Sequence, residues 1–159
     1  MKAYLANGLF SMGDRLLNEL IASQVRKELQ GIDLYVPQEN AAINDKTGYA
    51  DAMTIAKADM GRLEESDFLI AVIDGVEIDS GVAAEIGAFY MMKKPIFALY
   101  TDIRQQGRDN ERKIKALIDD GTENQFVYRN LFVIGLIKEG DGGIYPTIEE
   151  LILGIKKHI

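Results

Sequence analysis

Apolar positions along the chain fall into two rhythms, short unbroken runs and longer stretches at helical spacing, and the two alternate. Ala3 to Ala6 is a short apolar run closed by Asn7-Gly8, which predicts a first strand ending in a turn. From Ser11 to Leu29 the residues Leu16, Leu17, Leu20, Ile21, Val25 and Leu29 recur at helical steps, and Gly31 supplies a stop. Leu34 to Val36, cut by Pro37, reads as a second strand. The polar stretch Gln38 to Gly48 reads as a loop of a length usually kept for function, leading into a helix over roughly Tyr49 to Glu65. Phe68 to Ile73 is continuously apolar, as expected of a strand covered on both faces in a parallel sheet, and Asp74-Gly75 ends it.

Ser80 to Lys93 predicts a helix rich in small residues (Gly81, Ala83, Ala84, Gly87, Ala88), a composition that suggests close approach to another backbone. Pro95 to Tyr100 is a fourth strand, Thr101 to Gly107 a polar loop, Asn110 to Ile118 a helix and Asp119 to Glu123 a turn-rich break. Asn130 to Ile137 is too apolar for its period to assign. Gly142-Gly143 introduces a short strand at Ile144-Tyr145, and Thr147-Ile-Glu-Glu150 has the capping-box pattern that opens a last helix. The alternation predicts a doubly wound, flavodoxin-like α/β sandwich on a mostly parallel sheet of about five strands, in one domain over 1–159. Ligands of such sheets sit beyond the carboxyl ends of the strands, so the residues after strands one to four are the candidates for a site.

Composition narrows the chemistry. With 18 Lys+Arg against 25 Asp+Glu the net charge is −7, which repels a phosphate backbone, so no nucleic acid polymer is expected as a partner. No apolar run approaches the ~20 residues that span a bilayer. The start MKAYLANGLF has only Lys2 before a strand-length segment rather than a signal peptide. A soluble cytoplasmic protein, with no membrane partner, is the expectation. The chain has no Cys, and its single His is His158, next to last, which excludes thiolate metal sites, Cys nucleophiles and His-based triads. One glycine follows the first strand where a dinucleotide fingerprint needs three, and no triphosphate-binding G-x-x-x-x-G-K-[ST] is present. No metal and no cofactor are expected, and chemistry falls to carboxylates, Tyr, Lys, amides or a borrowed group.

Among the carboxylates, Glu85 sits one or two turns inside the small-residue helix, whose start lies at the ligand-binding edge of the sheet. Proximity to the helix N-terminus favours its charged form, which suits a nucleophile. Asp79 stands where it could cap that helix. Asp59 lies in the helix before the third strand, and Glu64-Glu65-Ser66-Asp67 reads as solvated surface at that helix's end.

Tyr4 in the first strand, Gly8-Leu9-Phe10 after it, Asp59, the segment Asp79-Ser-Gly-Val-Ala-Ala-Glu85-Ile-Gly-Ala and a late Asn130-Leu131-Phe132 together resemble the nucleoside 2-deoxyribosyltransferase family. The D-x-G-x-x-x-E-[IL]-G segment is the most specific part, and the similarity in order and spacing runs from about residue 2 to 132. The resemblance implies that Glu85 attacks C1′ of a 2′-deoxynucleoside, forming a deoxyribosyl ester that a second nucleobase intercepts. It implies that Tyr4 orients that glutamate, and that Asp59 and Asp79 hold base and sugar and move the proton. It also implies a homo-oligomer, dimer or hexamer, in which Asn130 of a neighbouring subunit completes the sugar site. Phe132 stands where family members often carry Met, and Leu9 replaces an aromatic seen in some, which leaves base preference open. Leu9, Phe10, Gln38 and Asn40 are expected to line the base pocket from their place after strands one and two. Retaining transfer needs a nucleophilic carboxylate and a second acid about 5 Å away, and Glu85 with Asp79 is the expected pair. Two other readings fit the same residues: a 2′-deoxynucleoside or 2′-deoxynucleoside 5′-monophosphate N-glycosidase, and a non-catalytic nucleoside- or nucleotide-sensing module. The first loop offers no Arg before Arg15 for a phosphate.

Overall fold

A computed structural model describes the whole chain, residues 1–159. Strands β1 (Lys2–Ala6), β2 (Asp33–Tyr35), β3 (Phe68–Val72), β4 (Ile96–Leu99) and β5 (Gly142–Tyr145) form one sheet in the order β2-β1-β3-β4-β5. Every neighbouring pair is parallel, so the sheet expected to be mostly parallel is wholly so. The winding reverses between β1 and β3, which places a ligand crevice at the carboxyl ends of those two strands.

The two-residue period of a strand decides which side chain meets which layer. Ala3 and Leu5 of β1 join the core beneath α1 (Met12–Glu28) and α7 (Ile148–His158). Tyr4 and Ala6 face the opposite layer, made by α3 (Ala52–Glu65), α4 (Ser80–Met91) and α6 (Leu131–Glu139). Tyr4 therefore points at the helix that carries Glu85. An outlying helix, α5 (Glu111–Asp119), buries none of its residues.

Several boundaries differ from the expected ones for identifiable reasons. The second long helix begins at Ala52 rather than Tyr49, because the Asp51 carboxylate caps it, accepting from the Thr54 amide at 2.7 Å. The stretch Gln38 to Gly48 is not wholly loop. A 3₁₀ turn (Pro37–Glu39) and a single-turn helix, α2 (Ala41–Asn44), occupy it, held down by buried Ile43. The unassigned Asn130 to Ile137 is α6, capped by Asn130. It buries Val133 and Ile137 while leaving Leu131 and Phe132 exposed, so apolar residues on both sides erase the period. Strand β5 starts two residues earlier than expected because Gly142 itself pairs with β4, where a side chain would overlap the Ile96 carbonyl.

The capping pattern at Thr147 is only half formed: its hydroxyl accepts from the Glu150 amide at 3.1 Å. The reciprocal box is at α1, where Ser11 and Asp14 each accept the other's backbone N–H. In the acidic run after α3, Ser66 is buried, its hydroxyl donating to the Arg62 carbonyl at 2.8 Å, so that run is not all solvated surface. The small residues of α4 do not all mark a close backbone: a Cβ at Gly87 would meet nothing within 4 Å, and Ala84 is exposed.

Candidate active site

Two polar features fix the carboxyl end of β1. The turn after it is bracketed by Asn18, a buried amide in the apolar stripe of α1. Its Nδ2 donates to the Gly8 carbonyl at 3.0 Å and to Gln38 Oε1 at 2.9 Å, and its Oδ1 accepts from Asn7 Nδ2 at 2.8 Å. A buried amide so fully partnered rigidifies what it touches, here the two loops that border the crevice. Within β1, the Tyr4 ring is fully buried and packs against Tyr35 of β2, ring centres 5.2 Å apart.

The Tyr4 hydroxyl donates to Glu85 Oε1 at 2.6 Å, a contact between residues 81 apart in sequence. Glu85 is partly buried, and burial pushes its carboxyl up to about 7, with the Tyr4 hydrogen bond opposing and the charges of Asp59 and Asp79 adding. The sequence reading that the helix N-terminus keeps Glu85 charged is therefore corrected. Glu85 is the sixth residue of α4, past the first turn to which the dipole's influence is confined, and desolvation prevails. Burial, followed by the charge and hydrogen bond of Glu85, likewise holds the Tyr4 phenol well above its ordinary range, so it remains a donor.

Asp59, on α3, completes the buried group. Its carboxyl is raised, mainly by burial; the Tyr4 hydroxyl and the Lys46 ammonium lie close enough to oppose this only in part. Tyr4 has one proton and commits it to Glu85, and Asp59 Oδ1 is buried without a hydrogen-bond partner. Asp79 is placed differently. It is exposed and caps α4, one oxygen accepting from the Gly81 amide at 2.8 Å and the Val82 amide at 3.2 Å, while its charge is felt at Glu85. The structure thus brings Tyr4, Asp59 and Glu85 together, with Asp79 at the rim.

The remaining expected residues divide. Phe10 is 73% exposed after β1 with the Lys46 ammonium 5.3 Å from its ring centre, and Leu9 is half-buried beside it. Both amide atoms of Gln38 are engaged within the fold, by Asn18 and by the Arg15 carbonyl at 3.3 Å. Asn40 donates to the Tyr35 hydroxyl at 3.0 Å. Asn130 is exposed; its Oδ1 caps α6 by accepting from the Phe132 and Val133 amides, which leaves its Nδ2 to donate outward, and Phe132 is exposed beside it. Asn130 lines a groove of about 630 Å³ with Val76, Ile78, Ala83 and Leu131, which Glu85 does not share.

Three residues of the region gave no chemical signal in the sequence. Asn18 was detectable only as a polar residue on the buried face of a helix. Lys46 and Arg129 offer nothing to pattern, because their partners are an aromatic ring and main-chain carbonyls far along the chain.

Carboxylates and a phenol thus meet at the switch point of a parallel sheet, where ligands of such folds sit. The family model for nucleoside 2-deoxyribosyltransferases matches residues 3–124, and the chain belongs to that family. The matched span holds Tyr4, Asp59, Asp79 and Glu85 and ends before Asn130. A conserved protein from Enterococcus faecalis V583 is 47% identical over 100% of this chain and 99% of its own, with a TM-score of 0.93. The 2-deoxyribosyltransferase of Bacillus psychrosaccharolyticus is 21% identical over 96% of this chain and 90% of its own, TM-score 0.64. A CMP N-glycosidase from Clostridium botulinum is 18% identical over 100% of each chain, TM-score 0.50. The last two likenesses show a shared fold. No protein with a curated description matches the sequence. Family membership makes the protein an enzyme of the nucleoside 2-deoxyribosyltransferase family, with small nucleosides and nucleobases as the substrate class. No helix is long and apolar enough to cross a membrane.

Proposed function

We propose that the protein transfers the 2-deoxyribosyl group between nucleobases through a covalent ester on Glu85, with Asp59 as the acid that serves the departing base. The observation that carries this reading is the 2.6 Å hydrogen bond from the Tyr4 hydroxyl to Glu85 Oε1. It fixes one carboxylate oxygen and leaves the other to attack, and an attacking atom misplaced by about 1 Å costs on the order of 10²-fold in rate.

In the first half-reaction a Glu85 oxygen bonds to C1′ as the C1′–N bond breaks. The base leaves with that electron pair and takes a proton from Asp59, whose raised carboxyl holds one more readily than an exposed aspartate does. In the second, a ring nitrogen of the incoming base attacks C1′ from the side the first base left, the ester C–O bond breaks, and the proton shed by that nitrogen returns to Asp59. Two displacements retain configuration. Asp59 is preferred over the expected Asp79 as partner of Glu85 because it is the buried acid beside Tyr4, whereas one oxygen of exposed Asp79 caps α4 and its charge bears on Glu85. The exposed face of Phe10 offers a surface on which a base can stack. The outward Nδ2 of Asn130, absent from the protomer's own acid cluster, suits donation to a sugar hydroxyl in a neighbouring subunit.

Incubation with deoxyinosine and adenine tests the reaction. Deoxyadenosine is the expected product, whereas release of free deoxyribose with no deoxyadenosine would identify a hydrolase. Glu85→Ala is expected to remain folded and lose transfer, and full activity in that variant would remove the nucleophile. Chains carrying Asn130→Ala, mixed with chains carrying Glu85→Gln, are expected to recover activity that neither shows alone.

A further inference from the structure

We infer that Arg129 is a positioning residue that holds the acid-bearing loop of its own subunit's site and the Asn130 segment offered to the neighbouring site as one unit, an inference that rests on the shared-site reading above. The Arg129 side chain is only 7% exposed. Its Nη2 donates to the Gly75 carbonyl at 2.8 Å, and its Nη1 donates to the carbonyls of Val76 at 3.3 Å and Tyr128 at 3.0 Å. The guanidinium lies over the Tyr100 ring, 4.7 Å from its centre, with Asp102 Oδ2 at 3.8 Å, an oxygen that also pairs with Arg104 at 2.6 Å.

A buried cation is costly unless its donors find partners. Here the partners are main-chain carbonyls of the turn after β3, which Gly75 enters with a φ of 96° and which runs directly into Asp79, the cap of α4. On the other side, one peptide bond leads from Arg129 to Asn130, the cap of α6. The same planar fork thus ties the start of the helix bearing Glu85 to the start of the helix that presents Asn130. A lysine has the charge without the fork and the ring stacking, so it cannot reproduce these contacts together. The Nη donors of Arg129 are engaged by the main chain, while its Nε is buried without a hydrogen-bond partner, so the fork is held through its outer edge alone. Its effect on reaction passes through Asp79 and Asn130.

Subunit mixing separates the two arms. In the mixture of Glu85→Gln and Asn130→Ala chains, the working hybrid site takes Glu85 from the second chain and Asn130 from the first. Arg129→Lys placed on the Glu85→Gln chain disturbs only the donated asparagine, and a rise in KM of about tenfold is expected. Placed on the Asn130→Ala chain it disturbs only the acid loop, and a fall in kcat of about tenfold is expected. A purely structural role would reduce the yield of folded protein and leave both constants of the surviving hybrids unchanged. Unchanged constants, or an effect from one placement alone, would overturn the inference. No recovery in the parental mixture, after verified subunit exchange, would instead overturn the shared-site reading beneath it. Should Arg129→Lys chains fail to fold, Asp102→Asn weakens the counter-charge, with Arg104→Ala as the control for the Arg104 pair lost with it; shifts of about threefold in the same two directions beyond that control are expected, their absence counting against the proposal.

Discussion

Burial pushes the Glu85 carboxyl up to about 7 by disfavouring its charge. On the proposed mechanism, in which Glu85 attacks as the carboxylate, kcat/KM is therefore expected to rise with pH through about 7 on its acid side. Removing the Tyr4 hydroxyl deletes the interaction that favours the carboxylate. In Tyr4→Phe the acid limb is expected to move to higher pH and kcat to fall about 10²-fold, since the attacking oxygen also loses its anchor. A limb that stays in place would separate Tyr4 from the ionisation of Glu85. Stability follows from the same shift. Below pH 4.5 the folded and unfolded chains both hold the proton. Between 4.5 and about 7 the folded protein keeps a proton the unfolded chain has released, so rising pH favours unfolding, and above 7 the cost is complete. Glu85→Gln keeps an oxygen for Tyr4 and removes that cost. It is expected to be inactive yet about 1–2 kcal/mol more stable than the parent at pH 8, with the difference vanishing near pH 4, as urea denaturation at the two pH values would show. Tyr4, Asp59 and Glu85 could be singled out in the sequence through the family resemblance, Glu85 on its most specific segment, but the charge state of Glu85 was not legible. Spacing places a residue in a helix and says nothing about what covers it.

At the scale of elements, α4 joins chemistry to folding through its cap. Asp79 satisfies two of the amides that a helix start leaves free, and its charge also raises Glu85. Two substitutions separate these roles. Asp79→Asn keeps a capping oxygen and removes the charge, so stability is expected to hold within a few tenths of a kcal/mol while the acid limb moves to lower pH. Asp79→Ala removes both and is expected to cost about 1 kcal/mol in addition. Equal stability for the two variants would mean that the cap contributes nothing. The strands and the long helices were readable because each contrasts an apolar face or run with polar surroundings. The exceptions share a cause. In α6 apolar residues serve both the core, through Val133 and Ile137, and the surface, through Leu131 and Phe132, so the contrast is lost. In α2 a single turn rests on one buried residue, Ile43, which is too little for a period. The small residues of α4 are divided: the helix does lie close against α6, as its Gly and Ala content suggested, while Gly87 meets nothing that a side chain would touch.

For the molecule as a whole, the wholly parallel sheet gathers the acids at one edge but keeps Asn130 apart from them, in a groove of its own. Around Asn130 the surface is unusually apolar: Val76, Tyr128, Leu131 and Phe132 are each at least three-quarters exposed. Water covers such a cluster at a cost of about 25 cal/mol for each Å² of apolar surface. In a chain carrying net charge −7, which resists indiscriminate association, such a cluster is the surface on which the proposed shared site would be assembled. If a second copy covers it, association both removes the cluster from water and delivers Asn130 to the acids of its neighbour, so activity and assembly share one equilibrium. Activity per chain is then expected to fall on dilution in step with dissociation measured by light scattering. Leu131→Glu, which sets a charge in the cluster without touching the core, is expected to weaken association and lower activity at least tenfold, with recovery at higher protein concentration. A Leu131→Glu chain that is monomeric and fully active would show that each protomer completes its own site, and Asn130 would then have no part in the chemistry beyond capping α6.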